Sequence, residues 1–370
     1  MKYYIIAGEA SGDLHASNLM KAIRQNDVEA DFRFWGGDLM QKQGGKLVKH
    51  YSDLAFMGFA EVIMNLRTIL GNIAFCKKDL LGWNPDVLIL VDYPGFNLRI
   101  ANFAHKKGIK VVYYISPKIW AWKRGRVWQI KRVVDKMLVI FPFEKDFYAQ
   151  YGVEVDFVGN PVLDVLQNEK HVSKNVFLKN NDLNDKPLIS ILPGSRKQEV
   201  ARMLEIMLKV IPDFNNYQFV IAGVSSLGKD YYNQFISGYP VKVIYNQTHS
   251  LLHYSDAAMV TSGTATLETA LIGTPQVVCY KANKLSYEIA RRVVKVQYIS
   301  LVNLIMEQAL VKELIQNDMT TENLKSELNL ILNNDNYRNQ QLAGYDALRK
   351  KLGKKGASAN AAAIINDIVN

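Results

Sequence analysis

The sequence predicts an α/β protein of two doubly wound domains facing each other across a cleft, followed by C-terminal helices. Three observations predict this. Short apolar runs alternate with segments of helical periodicity along most of the chain, the pattern of parallel sheets with right-handed crossovers. Runs such as Val87–Val91 are continuously apolar, as strands covered on both faces must be. The alternation also occurs twice, on either side of a polar stretch from Gln167 to Lys186 that is rich in Asn, Asp and Lys. A chain of 370 residues suffices for two domains with real cores. We place a first domain at 1–166 and a second at 167–345. A helical segment, 346–370, then crosses back to the first domain or onto a partner chain, which would make a homodimer.

Composition narrows the function classes. Hydrophobic residues at 49% and charged residues at 22% fit a globular protein and exclude a disordered or fibrous one. The only two cysteines, Cys76 and Cys279, stand far apart in apolar surroundings, so a disulfide framework or zinc site is not expected and a reducing cytoplasm fits. Met1-Lys2-Tyr3-Tyr4-Ile5-Ile6 runs straight into a strand with no signal-peptide pattern. No apolar run reaches the ~18 residues of a membrane span. A net charge of +10 suits phosphorylated substrates, an anionic membrane surface or nucleic acid, without choosing among them.

In chain order, strand Tyr3–Ala7 runs into Gly8-Glu9-Ala10-Ser11-Gly12-Asp13 and a helix from Leu14 to Ile23. That turn lies at the carboxyl edge of a sheet, where open α/β sheets bind ligands, but its spacing is not the dinucleotide fingerprint GxGxxG. Strand Phe32–Trp35 follows. The stretch from Ala55 to Phe75 then carries apolar residues on more than one helical face, including Val62, Ile63, Leu66, Ile69 and Leu70. It reads either as a buried core helix or as an exposed surface for lipid or acyl chains. Strand Val87–Val91 ends in Asp92-Tyr93-Pro94-Gly95. Asp92 is either a helix cap or a general base whose pKa burial would raise. Strand Lys110–Ile115 leads into Ser116-Pro117-Lys118-Ile119-Trp120-Ala121-Trp122 and a basic segment to Lys136. Cations interleaved with Trp120, Trp122 and Trp128 suit nucleic acid, an anionic membrane interface, or simply a solvated helix over a core. Strand Lys136–Ile140, helix Phe143–Tyr151 and strand Val155–Val158 complete this half.

The second half has strands at Leu188–Leu192, Gln218–Ala222, Val241–Tyr245, Ala257–Thr261 and Gln276–Cys279. The first of these meets Pro193-Gly194-Ser195-Arg196 and a helix from Gln198 to Ile211. Such a junction aims backbone N–H groups and a helix dipole at one point, and Arg196 can place two donors on phosphate oxygens. Thr261-Ser262-Gly263-Thr264 repeats the arrangement, with Glu268 about one turn into the helix, where its carboxylate can accept two ribose hydroxyls. Either turn alone could be ordinary capping; two on one sheet edge point to a nucleotide diphosphate. Helices are expected at Lys312–Asn317, Glu322–Leu332, Tyr337–Leu348 and Ala357–Val369.

The ordered set of Gly8–Asp13, Ser116–Trp122, Phe141-Pro142-Phe143-Glu144, Leu192–Arg196, Ser262–Glu268 and Tyr298–Leu304 resembles the signature of the lipid-A-disaccharide synthase family, and the likeness covers nearly the whole chain. That family consists of bacterial inverting glycosyltransferases of the GT-B fold, with two Rossmann-like domains. The resemblance implies transfer of 2,3-diacylglucosamine from its UDP donor to 2,3-diacylglucosamine 1-phosphate, giving a β-1,6-linked disaccharide and UDP. It implies no metal and no cofactor, the UDP-sugar being substrate, and no nucleic acid partner. It also implies a cytoplasmic enzyme peripherally associated with the inner membrane. On this reading Gly194, Ser195 and Arg196 hold the diphosphate, Arg196 also stabilising the leaving group. Ser262, Gly263 and Thr264 add donors, Glu268 binds ribose and Asn303 contacts the nucleotide. Asp92 is the general base, with Glu9, Ser11 and Asp13 lining the acceptor side and offering alternatives for that role. Val62, Ile63, Leu66, Ile69, Leu70 and Met203 become the acyl or membrane surface. The competing readings are a GT-B enzyme on soluble sugars, such as a UDP-N-acetylglucosamine epimerase, and an RNA-binding protein. The apolar stretch argues against the first, and the absence of a recognised RNA module against the second.

Overall fold

A computed structural model describes residues 1–54, 66–169, 171–283, 287–288, 291–292 and 296–369, with only the backbone of 167 and 168. The chain divides into two compact units, Met1–Asp164 with Lys354–Asn370, and Val165–Gly353. The expected bound at 345–346 falls inside one continuous helix, Asp335–Leu352, which belongs to the second unit; the return to the first begins after Gly353.

The first unit holds a parallel sheet of seven described strands: β1 (Lys2–Ala7), β2 (Asp31–Gly36), β3 (Lys46–His50), β4 (Val87–Val91), β5 (Lys110–Tyr114), β6 (Lys136–Val139) and β7 (Asp156–Phe157). Their spatial order is β3-β2-β1-β4-β5-β6-β7. The second unit repeats the plan with β8 (Leu188–Leu192), β9 (Gln218–Gly223), β10 (Val241–Tyr245), β11 (Ala257–Thr261), β12 (Gln276–Tyr280) and β13 (Glu313–Ile315), ordered β10-β9-β8-β11-β12-β13. Each sheet runs outward from its first strand one way, then jumps back and continues the other way. Each therefore has a topological switch point, at β1/β4 and at β8/β11.

Side-chain alternation explains why the central strands read as unbroken apolar runs. In β8, Ile189 and Ile191 enter a core with Met203, Met207 and Met259, while Leu188 and Leu192 point to the opposite core with Phe177, Leu251 and Val260. Both faces are covered by helices, so neither tolerates a polar stripe. The polar stretch expected to be a linker or edge contributes a helix, Lys174–Asn180, whose Phe177 and Leu178 are buried in that second core. Two strands depart from the sequence pattern. β3 is a partly exposed strand rich in charge, and β13 lies where a helix from Lys312 to Asn317 was expected. There, parallel pairing of Glu313, Leu314 and Ile315 with Val278, Cys279 and Tyr280 outweighs local helix propensity.

The last helix, Ala357–Val369, packs on the helix Ala10–Asn26 of its own chain. Its buried stripe of Ala357, Ala361, Ala362 and Ile365 is small enough for close approach. Its start is fixed by the Asp164 carboxylate, which accepts from the backbone N–H groups of Gly356 and Ser358 at 2.6 and 3.1 Å.

Candidate active site

In the first unit, Ala7 pairs with Val91, so the turns leaving β1 and β4 emerge side by side at the switch point. Gly8 is required there: a Cβ would come within 2.4 Å of the Tyr93 ring. Asp92 and Tyr93 both occupy the left-handed region, with φ of 43° and 47°, which costs non-glycine residues about 1 kcal/mol or more each. The turn is held by Asn97, whose Nδ2 donates to the carbonyls of Asp92 and Val91 at 2.8 and 3.2 Å, and by the Tyr113 hydroxyl, which donates to the Asp92 carbonyl at 2.5 Å. A proline opens the next helix, Pro94–Lys106, where its missing N–H is harmless. The half-buried Asp92 carboxyl is pushed up to about 6, chiefly by burial and further by the Glu9 charge, while Lys118 and the Tyr93 backbone N–H pull the other way. A left-handed backbone and a displaced pKa thus coincide at one residue, a combination found at many functional positions.

Glu9 stands at the N-cap of the helix Ala10–Asn26, partly exposed, and Ser11 is exposed in its first turn. Asp13 is placed differently from the expectation. It is buried, and its carboxylate accepts from the backbone N–H groups of Gly37, Leu39 and Met40 at 2.8, 3.1 and 3.1 Å. It therefore holds the turn after β2. Two of the sequence motifs meet inside this unit. Glu144 is buried and accepts from Trp120 Nε1 at 3.2 Å and from the N–H groups of Ile140 and Phe141 at 3.2 and 3.0 Å. Burial pushes its carboxyl up to about 7 against those donors. Trp120 thus belongs to the core, whereas Trp122 and Trp128 are exposed beneath the ammonium groups of Lys123 and Lys131, at 4.3 and 5.8 Å from the ring centroids.

In the second unit, Leu192 pairs with Val260, which brings the two glycine-containing turns to the β8/β11 switch point. Gly194 has a φ of 107°, and a Cβ there would collide with the Glu199 carboxylate at 2.2 Å. Glu199 Oε2 accepts from the Ser195 N–H at 3.0 Å. The expectation of a free N–H at Ser195 is thus corrected: the chain supplies its own carboxylate. The exposed Arg196, at the N-cap of the helix Lys197–Met207, is the cation presented at this turn. Ser262 is likewise committed, its N–H to the Cys279 carbonyl at 3.0 Å and its hydroxyl to the Ile299 carbonyl at 2.9 Å. These bonds fix the turn. Gly263 caps the helix Thr264–Ile272 and Thr264 is exposed at its first position.

Asn303 is also held within the chain. It is buried, its Nδ2 donates to the Val311 carbonyl and to Glu313 at 2.8 and 2.9 Å, and its Oδ1 accepts from the Val311 N–H at 2.9 Å. Both amide N–H donors are thus engaged within the chain. The expectation that Met203 forms part of the acyl or membrane surface is corrected: it is fully buried in the second unit's core and presents no surface. Leu66 and Leu70 are about half exposed and Ile69 partly so, on a helix, Leu66–Trp83, that buries Ile73, Cys76 and Leu80 on its other face. Val62 and Ile63 lie outside the described residues.

Sequence reasoning missed the partner of Glu268. Glu268 Oε2 lies 3.1 Å from His249 Nε2, and His249 Nδ1 lies 2.7 Å from Glu169 Oε2. The two carboxylates raise the His249 pKa against the lowering effect of its burial, which is the largest single contribution. Nothing periodic marks His249; only its place two residues into the helix Thr248–His253, beside the strand edge, could have drawn notice. No cluster of metal-ligating side chains occurs among the described residues. A surface cavity of about 310 Å³ lined by Arg33, Phe75, Lys78, Asp79 and Trp83 lies away from both switch-point turns in sequence and includes none of their residues.

The family model described as lipid-A-disaccharide synthetase matches residues 3–368. Lipid-A-disaccharide synthase of Trichlorobacter lovleyi is 38% identical over 372 residues, 99% of this chain and 97% of that protein. The enzyme of the same description from Syntrophus aciditrophicus is 41% identical over 366 residues, 97% of this chain and 95% of that one. Among solved structures, UDP-GlcNAc 2-epimerase from Neisseria meningitidis bound to UDP-GlcNAc superposes with a TM-score of 0.67 at 14% identity, covering 100% of this chain and 99% of that one. The glycotransferase of kitacinnamycin gives 0.68 at 12% identity over 100% and 99%. These structural likenesses concern the fold alone, whereas the sequence matches span the chain. The chain therefore belongs to the lipid-A-disaccharide synthetase family and is a GT-B glycosyltransferase of lipid A biosynthesis.

Proposed function

We propose that the enzyme transfers 2,3-diacylglucosamine from its UDP donor to 2,3-diacylglucosamine 1-phosphate, forming the β-1,6-linked disaccharide 1-phosphate and releasing UDP. The observation that carries this reading is that the two units have switch points of unlike chemistry. One presents a carboxylate poised near pH 6, the other an exposed arginine at a helix start. Inversion at the anomeric carbon needs one base and a stabilised leaving group, and no covalent enzyme intermediate. Asp92 takes the proton from the attacking hydroxyl. At neutral pH it is mostly ionised, yet more basic than an ordinary carboxylate. Arg196 neutralises charge growing on the departing UDP, with Gly194 and Ser195 forming the turn that presents it and Gly263 and Thr264 supplying the second helix start. Glu268 receives the ribose hydroxyls. Glu9 and Ser11 line the acceptor side. The diphosphate charge is met by the protein, so chelators leave turnover unchanged.

No helix among the described residues is long and apolar enough to cross a membrane. We infer peripheral contact with the cytoplasmic face of the inner membrane through the exposed Leu66, Leu70 and Phe75 and through Trp122 and Trp128 with their lysines. The test of the assignment is the product. The two diacylated substrates should give a disaccharide whose new anomeric proton shows β coupling by NMR. An α-linked product, or hydrolysed sugar alone, contradicts the reading.

A further inference from the structure

We propose that His249 is a positioning residue for the donor nucleotide, its imidazolium fixing Glu268 between the Glu169 salt bridge and the ribose hydroxyls. The inference rests on the nucleotide reading of the β8/β11 turns given above. Its geometric basis is a ring with a carboxylate oxygen at each nitrogen, 2.7 Å from Nδ1 and 3.1 Å from Nε2. A neutral imidazole has one N–H, so it can answer only one of these oxygens and must point a lone pair at the other. Only the imidazolium donates to both. His249 is largely shielded, with 17% of its side chain exposed, while Glu268 retains 24%. The bridge uses only Oε2 of Glu268. It leaves the carboxylate oriented one turn above Gly263 and Thr264, at the start of the same helix. A free glutamate side chain there would sample several rotamers before meeting a diol, and the histidine removes that freedom.

The charged and titratable groups facing this ring come from three elements. Glu169 follows the helix Pro161–Asn168, Glu268 comes from the helix Thr264–Ile272, and His253 lies one turn along the ring's own helix. The His253 ring stacks on His171 at 4.7 Å, and His171 Nδ1 lies 3.1 Å from Ser250 Oγ. Burial and His171 lower the His253 pKa, while the carboxylates raise that of His249. The two titrations therefore fall on opposite sides of the ordinary value of about 6.5. The histidine's hold on Glu268 is complete below that value and is lost as pH rises through the higher, folded-state pKa of His249.

The test is UDP affinity by calorimetry for the full-length protein, His249→Gln and His249→Arg, with 2′,3′-dideoxy-UDP as the companion ligand. His249→Gln should weaken UDP binding about tenfold at pH 6 and leave dideoxy-UDP binding unchanged, because the lost interaction runs through the ribose hydroxyls. His249→Arg, a permanent cation, should restore UDP affinity and flatten its decline with rising pH. Equal loss for both ligands means a merely structural histidine and overturns the proposal. So does unchanged UDP affinity in His249→Gln, or an arginine variant as weak as the glutamine one. If the unsubstituted protein itself fails to bind UDP, the nucleotide reading fails instead.

Discussion

Replacing Asp92 with asparagine should kill the enzyme and stabilise the protein, and the two effects should have the same pH origin. Burial and the Glu9 charge move the Asp92 carboxyl from its ordinary 3.8 to about 6. That displacement corresponds to about 3 kcal/mol between the two protonation states, an upper figure because the side chain is only half-buried. The folded state thus binds this proton more tightly than the unfolded chain does. The ionised form is a burden on folding above pH 6, and the burden disappears below about pH 4, where both states are protonated. An asparagine side chain carries no charge at any pH and keeps the shape. Asp92→Asn should therefore be the more stable protein at pH 8, by roughly 1–3 kcal/mol, with the advantage vanishing at pH 4. Its turnover should fall by roughly 10²–10⁴-fold, the range for loss of a general base, with UDP affinity retained. In the unsubstituted enzyme, kcat/KM should drop about tenfold between pH 7 and pH 5, which a carboxyl at its ordinary pKa would not produce. Thermal midpoints at pH 4 and 8, with initial rates across that range, decide the matter. A variant with full turnover, or a stability difference independent of pH, would refute the assignment and shift suspicion to Glu9.

Other outcomes follow from the same geometry. Arg196→Ala should lower UDP affinity and rate together by tenfold or more, measured by calorimetry and initial rates, since it removes a charge-assisted contact to phosphate; unchanged affinity would remove it from the diphosphate site. Met203→Ala should cost about 2–5 kcal/mol of stability, read by urea unfolding, and leave vesicle binding alone, because the side chain fills a core. Leu66→Ser with Leu70→Ser should weaken binding to anionic vesicles at little cost in stability, since both side chains are already about half exposed; unchanged vesicle binding would contradict the membrane surface.

Much of the architecture was legible because it depends on period and length. The buried strands β4, β8 and β11 are unbroken apolar runs that admit few other readings, and their ends place Asp92, Gly194 and Gly263 at sheet edges. The departures came where tertiary pairing decides. Glu313–Ile315 is too short and too mixed to declare itself a strand without β12 beside it. At the site, residue type alone does not show how a side chain is held. Asp13, Ser262 and Asn303 have the chemistry of ligand-binding groups, but each is occupied by backbone partners that no linear pattern reveals. His249 was the converse, a plain helix residue until folding set Glu169 and Glu268, far apart in sequence, on either side of its ring.

The most direct test of the central claim is UDP release from the UDP-diacylglucosamine donor, measured with and without diacylglucosamine 1-phosphate. The account predicts release that depends on the acceptor and matches disaccharide formed one for one. Release without acceptor, or turnover of UDP-N-acetylglucosamine in place of the acylated donor, would contradict it.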